Sequence, residues 1–306
     1  MLLLSAIGAS AASAQAAPAQ RATTGWHFAI AGRPAGAPAG VLVLMPGYGG
    51  DFDDFAVPDS RGLPLADSLA KAGIATLLVG PTSGVLFGDS AYHRQLEDTI
   101  VEAMQAAGVG DVPMAVGGFS AGGTDAILLG ERCARHACTL RNAIRAVIEV
   151  DAPLDWHRLW ANNMLALRNP SPRTNVTEAR LVLRSIEARI GAHPTPTSPR
   201  FLAASPLASR DARGGQARHL ARVAVRAYTE PDISWWLEQR GGDYYGLNAL
   251  DAATLVRVLR AQGNADASLV VTSGRGYRGD GTRHPHSWSI VDQPELATWV
   301  AKRLAR

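Results

Sequence analysis

Lysine is almost missing from this chain. Lys71 and Lys302 are the only two in 306 residues, so the basic charge is carried by scattered arginines. The formal charge is only +3 and no dense basic stripe occurs, which argues against a nucleic-acid partner. Cysteine is equally scarce. Cys133 and Cys138 stand alone, which excludes a disulfide-rich scaffold and a thiol-rich metal centre. His136 lies between them, but two sulfurs and one imidazole on one short segment are a weak ligand set. In an oxidising compartment the pair is expected to form one small-loop disulfide; the alternative is two free thiols at a helix end. Long apolar runs are lacking too. The longest leader-like stretch, Met1 to Gly8, is too short to span a bilayer. No repeat recurs at solenoid periods.

What remains is the composition of an ordinary folded protein, 47% hydrophobic and 19% charged. Residues 1–20 run from an apolar start into small residues, and both Ala12-Ser13-Ala14 and Ala14-Gln15-Ala16 fit the A-x-A cleavage pattern. They read as a signal peptide without the usual positive start, implying export to a periplasmic or extracellular space; the alternative is an alanine-rich tail. Residues 21–306 read as a single domain.

Within that domain apolar strands alternate with helical patterns. Thr24 to Ile30 alternates like a strand. Val41 to Met45 is a continuous apolar run of the kind buried on both faces of a parallel sheet, and Ile74 to Val79 reads as a second buried strand. Helical patterns cover Leu63 to Lys71, Ser90 to Ala107 and Ser120 to Arg132, with Asp89 as a cap and Gly73 and Gly108 as stops. Ile144 to Val150, Val223 to Tyr228 and Ser268 to Thr272 are further strands; Leu247 to Gln262 and a segment from Pro294 are further helices. Residues 156–218 break the alternation. They are Pro-, Ser- and Arg-rich apart from a helical pattern over Thr177 to Ile190, and read as an inserted cap or lid. The order predicts an α/β fold, a mostly parallel central sheet with helices on both faces.

The chemistry concentrates at Gly118-Phe119-Ser120-Ala121-Gly122, a G-x-S-x-G sequence between a strand and a helix. A serine hydroxyl becomes a useful nucleophile when held exposed beside a base, with backbone N–H groups ready to receive an oxyanion. A sharp strand-to-helix turn does this, and its crowding requires glycine two positions either side. With Pro46-Gly47-Tyr48-Gly49-Gly50 after an early strand, and acid and histidine candidates after late strands, the chain resembles the α/β-hydrolase superfamily over about 41–155 and 220–306.

That resemblance implies a triad in the order serine, acid, histidine. Ser120 is the nucleophile. The base is expected at His286, just before the terminal helix, with His284 as the alternative. The acid is expected at Asp232, a few residues after the strand ending at Tyr228. Glu230 is the nearest alternative, and Asp151 and Asp155 follow the preceding strand, where a minority of the superfamily place the acid. The oxyanion hole is expected from the backbone N–H groups of Ala121 and Tyr48, although Pro46-Gly47 stands where the superfamily often has His-Gly. No metal or organic cofactor is required.

Trp156, Trp160, Trp235, Trp236 and Trp288 all fall on segments that follow strands, where an α/β sheet gathers its ligand. They are expected to rim a pocket for a small ester, aromatic or carbohydrate-linked, or else to anchor the lid. Gly274-Arg-Gly-Tyr-Arg-Gly279 fits G-x-G-x-x-G but opens a loop instead of a helix, so no dinucleotide site is expected. Arg278-Gly279-Asp280 is a chance tripeptide, and Asn175-Val176-Thr177 a sequon only if the host glycosylates it. The reading is a serine hydrolase of carboxylic esters. Peptidase or acyltransferase action uses the same residues, and the rival from another class is a non-catalytic, carbohydrate-binding module on the same fold.

Overall fold

The computed structural model describes residues 19–55, 63–171, 174–191, 195, 198–278 and 280–305. The leader-like segment lies outside the described residues except for Ala19 and Gln20. Gln20 already belongs to a short strand.

Eight strands form one sheet: β1 (Gln20–Arg21), β2 (His27–Gly32), β3 (Gly40–Met45), β4 (Ile74–Gly80), β5 (Met114–Phe119), β6 (Ile144–Val150), β7 (Ala224–Thr229) and β8 (Ala267–Val271). Their spatial order is β1-β2-β4-β3-β5-β6-β7-β8. β1 and β2 pair antiparallel, β2 meets β4 antiparallel, and every pairing from β4 to β8 is parallel. Helices α1 (Pro64–Lys71), α2 (Ser90–Ala107), α3 (Ala121–Ala134), α4 (Trp156–Arg168), α5 (Val176–Ile190), α6 (Pro199–Ala204), α7 (Ile233–Arg240), α8 (Ala249–Ala261) and α9 (Gln293–Leu304) lie between and after the strands.

The apolar runs explain the layers. Along β3, Val41, Val43 and Met45 enter one core, while Leu42 and Leu44 enter the other. The first core is closed by Leu96 and Ile100 of α2, Ile127 of α3, and Leu255 and Leu259 of α8. The second is closed by Leu65 and Leu69 of α1 and Leu296 and Val300 of α9. A central strand with helices on both sides has no polar face, hence the unbroken hydrophobic sequence. Helix ends follow local chemistry. Asp89 accepts the N–H groups of Ala91 and Tyr92 at 2.9 Å, and Gly108 closes α2 in the left-handed region at φ 68°.

Between β6 and β7 the chain carries α4, α5 and α6, of which only α5 is visible as a helical pattern in the sequence. Their shared cluster joins Trp156, Ile186, Ile190 and Phe201 to Phe87 and to Leu128 of α3, so the inserted segment is rooted on the helix that follows Ser120. Arg158 ties α4 to α8. Its Nε and Nη2 donate to the two carboxylate oxygens of Asp251 at 2.6 and 2.8 Å, and Asp251 also accepts the backbone N–H groups of Leu154 and Asp155. Cys133 and Cys138 are joined by a disulfide at the end of α3.

Candidate active site

Ser120 sits between β5 and α3 at φ 54° and ψ −120°, a backbone conformation that costs a non-glycine residue on the order of 1–3 kcal/mol. Its neighbours show why the turn needs glycine. A Cβ on Gly118 would lie 2.3 Å from the carbonyl carbon and oxygen of Gly122. One on Gly122 would lie 2.1 Å from Met45 O and 2.3 Å from Pro46 O. The second contact also brings the main chain after β3 against the start of α3.

Three strands end together beneath this turn. Phe119, Val150 and Tyr228 are in register across β5, β6 and β7. The next residues continue the ladder: Ser120 N–H donates to Val150 O at 3.0 Å, and Asp151 N–H donates to Tyr228 O at 2.9 Å. Ser120 and Asp151 are therefore the first residues past two adjacent strand ends.

His286 reaches both. Its Nε2 is 2.9 Å from Ser120 Oγ and its Nδ1 is 2.6 Å from Asp151 Oδ2. The Phe119 ring lies alongside the imidazole, with centroids 4.7 Å apart. Asp151 is itself fixed from several directions. It has a positive φ of 48°, its carbonyl accepts Asn248 Nδ2 at 2.8 Å, and Thr229 Oγ1 donates to its Oδ1 at 3.2 Å.

The acid expected from the sequence is therefore displaced. Asp232 and Glu230 do not face His286. Asp232 caps α7 by accepting Trp235 N–H at 3.1 Å, and its other oxygen takes Arg283 Nη1 at 2.6 Å. Glu230 accepts Arg283 Nη2 at 3.0 Å and Thr272 Oγ1 at 2.6 Å. β7 runs one residue further than expected, to Thr229, so the carboxylates beyond it reach forward into a helix cap and an ion pair. Asp155, the other residue weighed at this edge, caps α4 through Arg158 N–H at 3.1 Å.

Arg283 has a second effect. Its Nε donates to Arg275 O at 2.9 Å, and His284 N–H donates to Gly276 O at 2.8 Å. Tyr277 pairs antiparallel with Arg283, so the glycine-rich stretch forms a hairpin-like arm leading to His286. His284 is not the histidine that reaches Ser120. Its Nδ1 accepts His286 N–H at 3.1 Å, and burial first, then neighbouring cations, hold its pKa down to about 3.

The loop after β3 forms a tight turn in which Gly50 N–H donates to Gly47 O at 3.1 Å and Gly49 takes φ 106°. Tyr48 occupies its first corner, half-exposed. The turn is held by His27 Nε2, 2.8 Å from Gly50 O, and by Asp54, whose Oδ2 accepts Gly47 N–H at 2.8 Å. Sequence reasoning did not single out Asp54, which lies seven residues along in a short 3-10 turn (Phe52–Phe55). Burial raises its pKa. Ala121 opens α3, where main-chain N–H groups lack intrahelical partners.

The expected tryptophan rim is mostly core. Trp156 and Trp288 are fully buried, packed on Phe87 and Phe55 with centroids 4.6 and 4.9 Å apart. Trp160 packs on the same cluster as Trp156. Trp235 stands 4.5 Å from the His284 ring. Trp236 alone of the five lines the cavity that reaches His286, a space of about 520 Å³ between α4, the start of α5 and the end of α7. Asn162, Asn163, Asn169 and Asn175 line it, interleaved with Leu165, Ala179 and Leu247.

Among the described residues no group of three or more His, Cys, Asp or Glu side chains is placed to hold a metal ion. No described helix is long and apolar enough to cross a membrane.

No family model and no curated protein matches the sequence. Solved structures do match in fold. Carboxyl esterase 2 from the mycorrhizal fungus Tuber melanosporum is 16% identical, with TM-score 0.58 over 97% of this chain and 89% of its own. An esterase from the bacterial hormone-sensitive lipase family is 18% identical, with TM-score 0.52 over 94% and 84%. The acylaminoacyl peptidase of Pyrococcus horikoshii is 12% identical, with TM-score 0.53 over 91% of this chain but 39% of its own. The sheet order, the serine turn and these likenesses together identify the chain as having the α/β-hydrolase fold.

Proposed function

We propose that this protein is a serine hydrolase that cleaves carboxylic esters through an acyl-enzyme. The observation that carries the reading is the single line of contacts from Ser120 Oγ through the His286 imidazole to Asp151. Aspartate at Nδ1 fixes the tautomer that leaves Nε2 free to accept the serine proton, and it stabilises the imidazolium that results. Ser120 Oγ bonds to the ester carbonyl carbon as the π pair moves onto oxygen. The N–H groups of Ala121 and Tyr48 receive that oxyanion. Collapse of the intermediate breaks the bond to the alcohol, which leaves with the proton from His286. Water repeats the sequence on the acyl-enzyme, giving the acid and free Ser120.

Fold neighbours named as esterases, alike over most of their own length, support ester over amide as the substrate. Peptide hydrolysis is the second reading, favoured by the peptidase among those neighbours. A signal peptide and export complete the proposal, supported by the bonded pair Cys133–Cys138, which suits an oxidising compartment. A fluorophosphonate probe tests the central claim. Labelling at Ser120, with p-nitrophenyl ester turnover abolished by Ser120→Ala, is the expected result. An unlabelled serine with turnover unchanged by that substitution refutes it and leaves the binding-module reading.

A further inference from the structure

The cavity that reaches His286 holds two arginines, Arg240 and Arg278, and neither forms an ion pair with a described residue. Arg240 is half-buried at the last position of α7. Gly241, just beyond it, packs so closely on Ser171 that a Cβ there would lie 2.1 Å from the hydroxyl oxygen. The end of α7 thus lies against the segment joining α4 to α5, and Arg240 lines the cavity wall.

The His284 ring, its polar partner among the described residues, cannot satisfy it. Arg240 Nη2 lies 2.9 Å from His284 Nε2, while His286 N–H donates to His284 Nδ1 at 3.1 Å. Guanidinium and backbone N–H are donors only. A neutral imidazole has one lone-pair nitrogen, so two donors converge on a ring that can accept one. Whichever tautomer forms, one of the two N–H groups finds no acceptor on the ring. Charging the ring removes its last lone pair and makes the mismatch worse.

Arg278 lines the same cavity from the arm that carries His284 and His286, and its charge bears on both Asp54 and His284. The two carboxylates that line the cavity pair with neither arginine, and each has one oxygen engaged by another donor. Asp243 Oδ1 accepts the N–H groups of Tyr245 and Gly246 at 2.9 and 3.2 Å. Glu178 Oε2 accepts Asn175 Nδ2 at 3.0 Å.

We infer that the ester cleaved here carries a carboxylate, seated between Arg240 and Arg278 in the cavity that reaches His286. The inference rests on the serine-hydrolase reading. A carboxylate supplies the acceptor that His284 lacks, and guanidinium binds it with planar, directed pairs of N–H bonds. The asparagines of the same wall add neutral donors, and a cavity of about 520 Å³ takes a substrate of this size.

Two matched pairs of esters test it, so that the charge is offered on either side of the scissile bond. One pair is mono-p-nitrophenyl adipate and p-nitrophenyl hexanoate. The other is 3-acetoxybenzoate and its methyl ester. The charged member of at least one pair should be favoured by about 10- to 100-fold in kcat/KM. Arg240→Gln should bring that ratio to about one, with Arg240→Lys restoring part of it. In the unaltered protein the ratio should also fall as sodium chloride rises from about 0.05 to 0.5 M, a readout independent of any variant. A neutral ester used as well as or better than its charged partner in both pairs, or no turnover of any of the four, overturns the inference. Labelling of Ser120 by fluorophosphonate reports separately on the hydrolase reading.

Discussion

Asp151 Oδ2 lies 2.6 Å from His286 Nδ1, although 135 residues separate them in the chain. The contact is made possible by adjacent strand ends, with Asp151 immediately past β6 and Ser120 immediately past β5. Asp151→Asn should therefore lower kcat by about 10²- to 10⁴-fold, because the amide no longer fixes the useful tautomer. Asp232→Asn keeps a capping side chain on α7 and loses one ion pair. It should leave kcat/KM within about threefold, since a partly exposed pair contributes roughly 0–1 kcal/mol. Steady-state assay of the two variants side by side decides; the reverse ranking would return the acid to Asp232.

Asp54 holds the loop after β3 by accepting Gly47 N–H at 2.8 Å. It touches none of the reacting atoms in the proposed mechanism, so its effect is one of position. Asp54→Ala should cut kcat by about 10-fold with little change in KM, as expected when a donor to the oxyanion is displaced rather than lost. A change confined to KM would place Asp54 in substrate binding instead.

Gly122 faces the carbonyl oxygens of Met45 and Pro46, and an added Cβ would sit 2.1 and 2.3 Å from them. Neither oxygen belongs to a movable side chain. Gly122→Ala must push β3's loop away from α3, so activity should fall at least about 100-fold. Far-UV circular dichroism and thermal melting will show whether the loss comes with the fold intact. Full activity would mean that the loop yields without harm.

Asp125 is buried in α3 beneath Tyr92, whose hydroxyl donates to it at 2.8 Å, and burial pushes its pKa up to about 7. In the unfolded chain the same carboxyl ionises near 4. The native state therefore holds the proton more tightly. The resulting stabilisation is complete below about pH 4 and is lost as pH rises to about 7. Asn cannot ionise but can still accept from Tyr92. Asp125→Asn should gain stability relative to the unaltered protein across that range, on the order of 4 kcal/mol from end to end. Urea unfolding at pH 4.5 and pH 8 measures the difference, and a gap that does not widen with pH rejects the assignment.

Much of this arrangement was legible in the sequence. β3 is an unbroken apolar run and β4 and β5 carry no charge because all three are buried on both faces, and α2 is bracketed by Asp89 and Gly108. Ser120 and His286 stood out because strand-turn-helix chemistry and chain order constrain them together. The acid did not, because carboxylates follow both β6 and β7 and only the register shows which strand end adjoins Ser120. Reading β7 as ending at Tyr228 also hid the cap that occupies Asp232. The inserted segment was least readable. α4 begins at Trp156, and a tryptophan after a strand looks the same whether it lines a pocket or, as here, fills a core. The mismatch at His284 depends on a donor from Arg240, 44 residues away in the chain, so no local pattern announces it.

The in-register ends of β6 and β7 divide two tasks between neighbouring strands. Parallel neighbours lie about 4.8 Å apart, so a carboxylate beyond either strand is one lateral step from the other. Here the carboxylates past β7 are engaged by Arg283, which anchors the histidine arm. One strand end thus orients the imidazole while the next secures the chain that bears it.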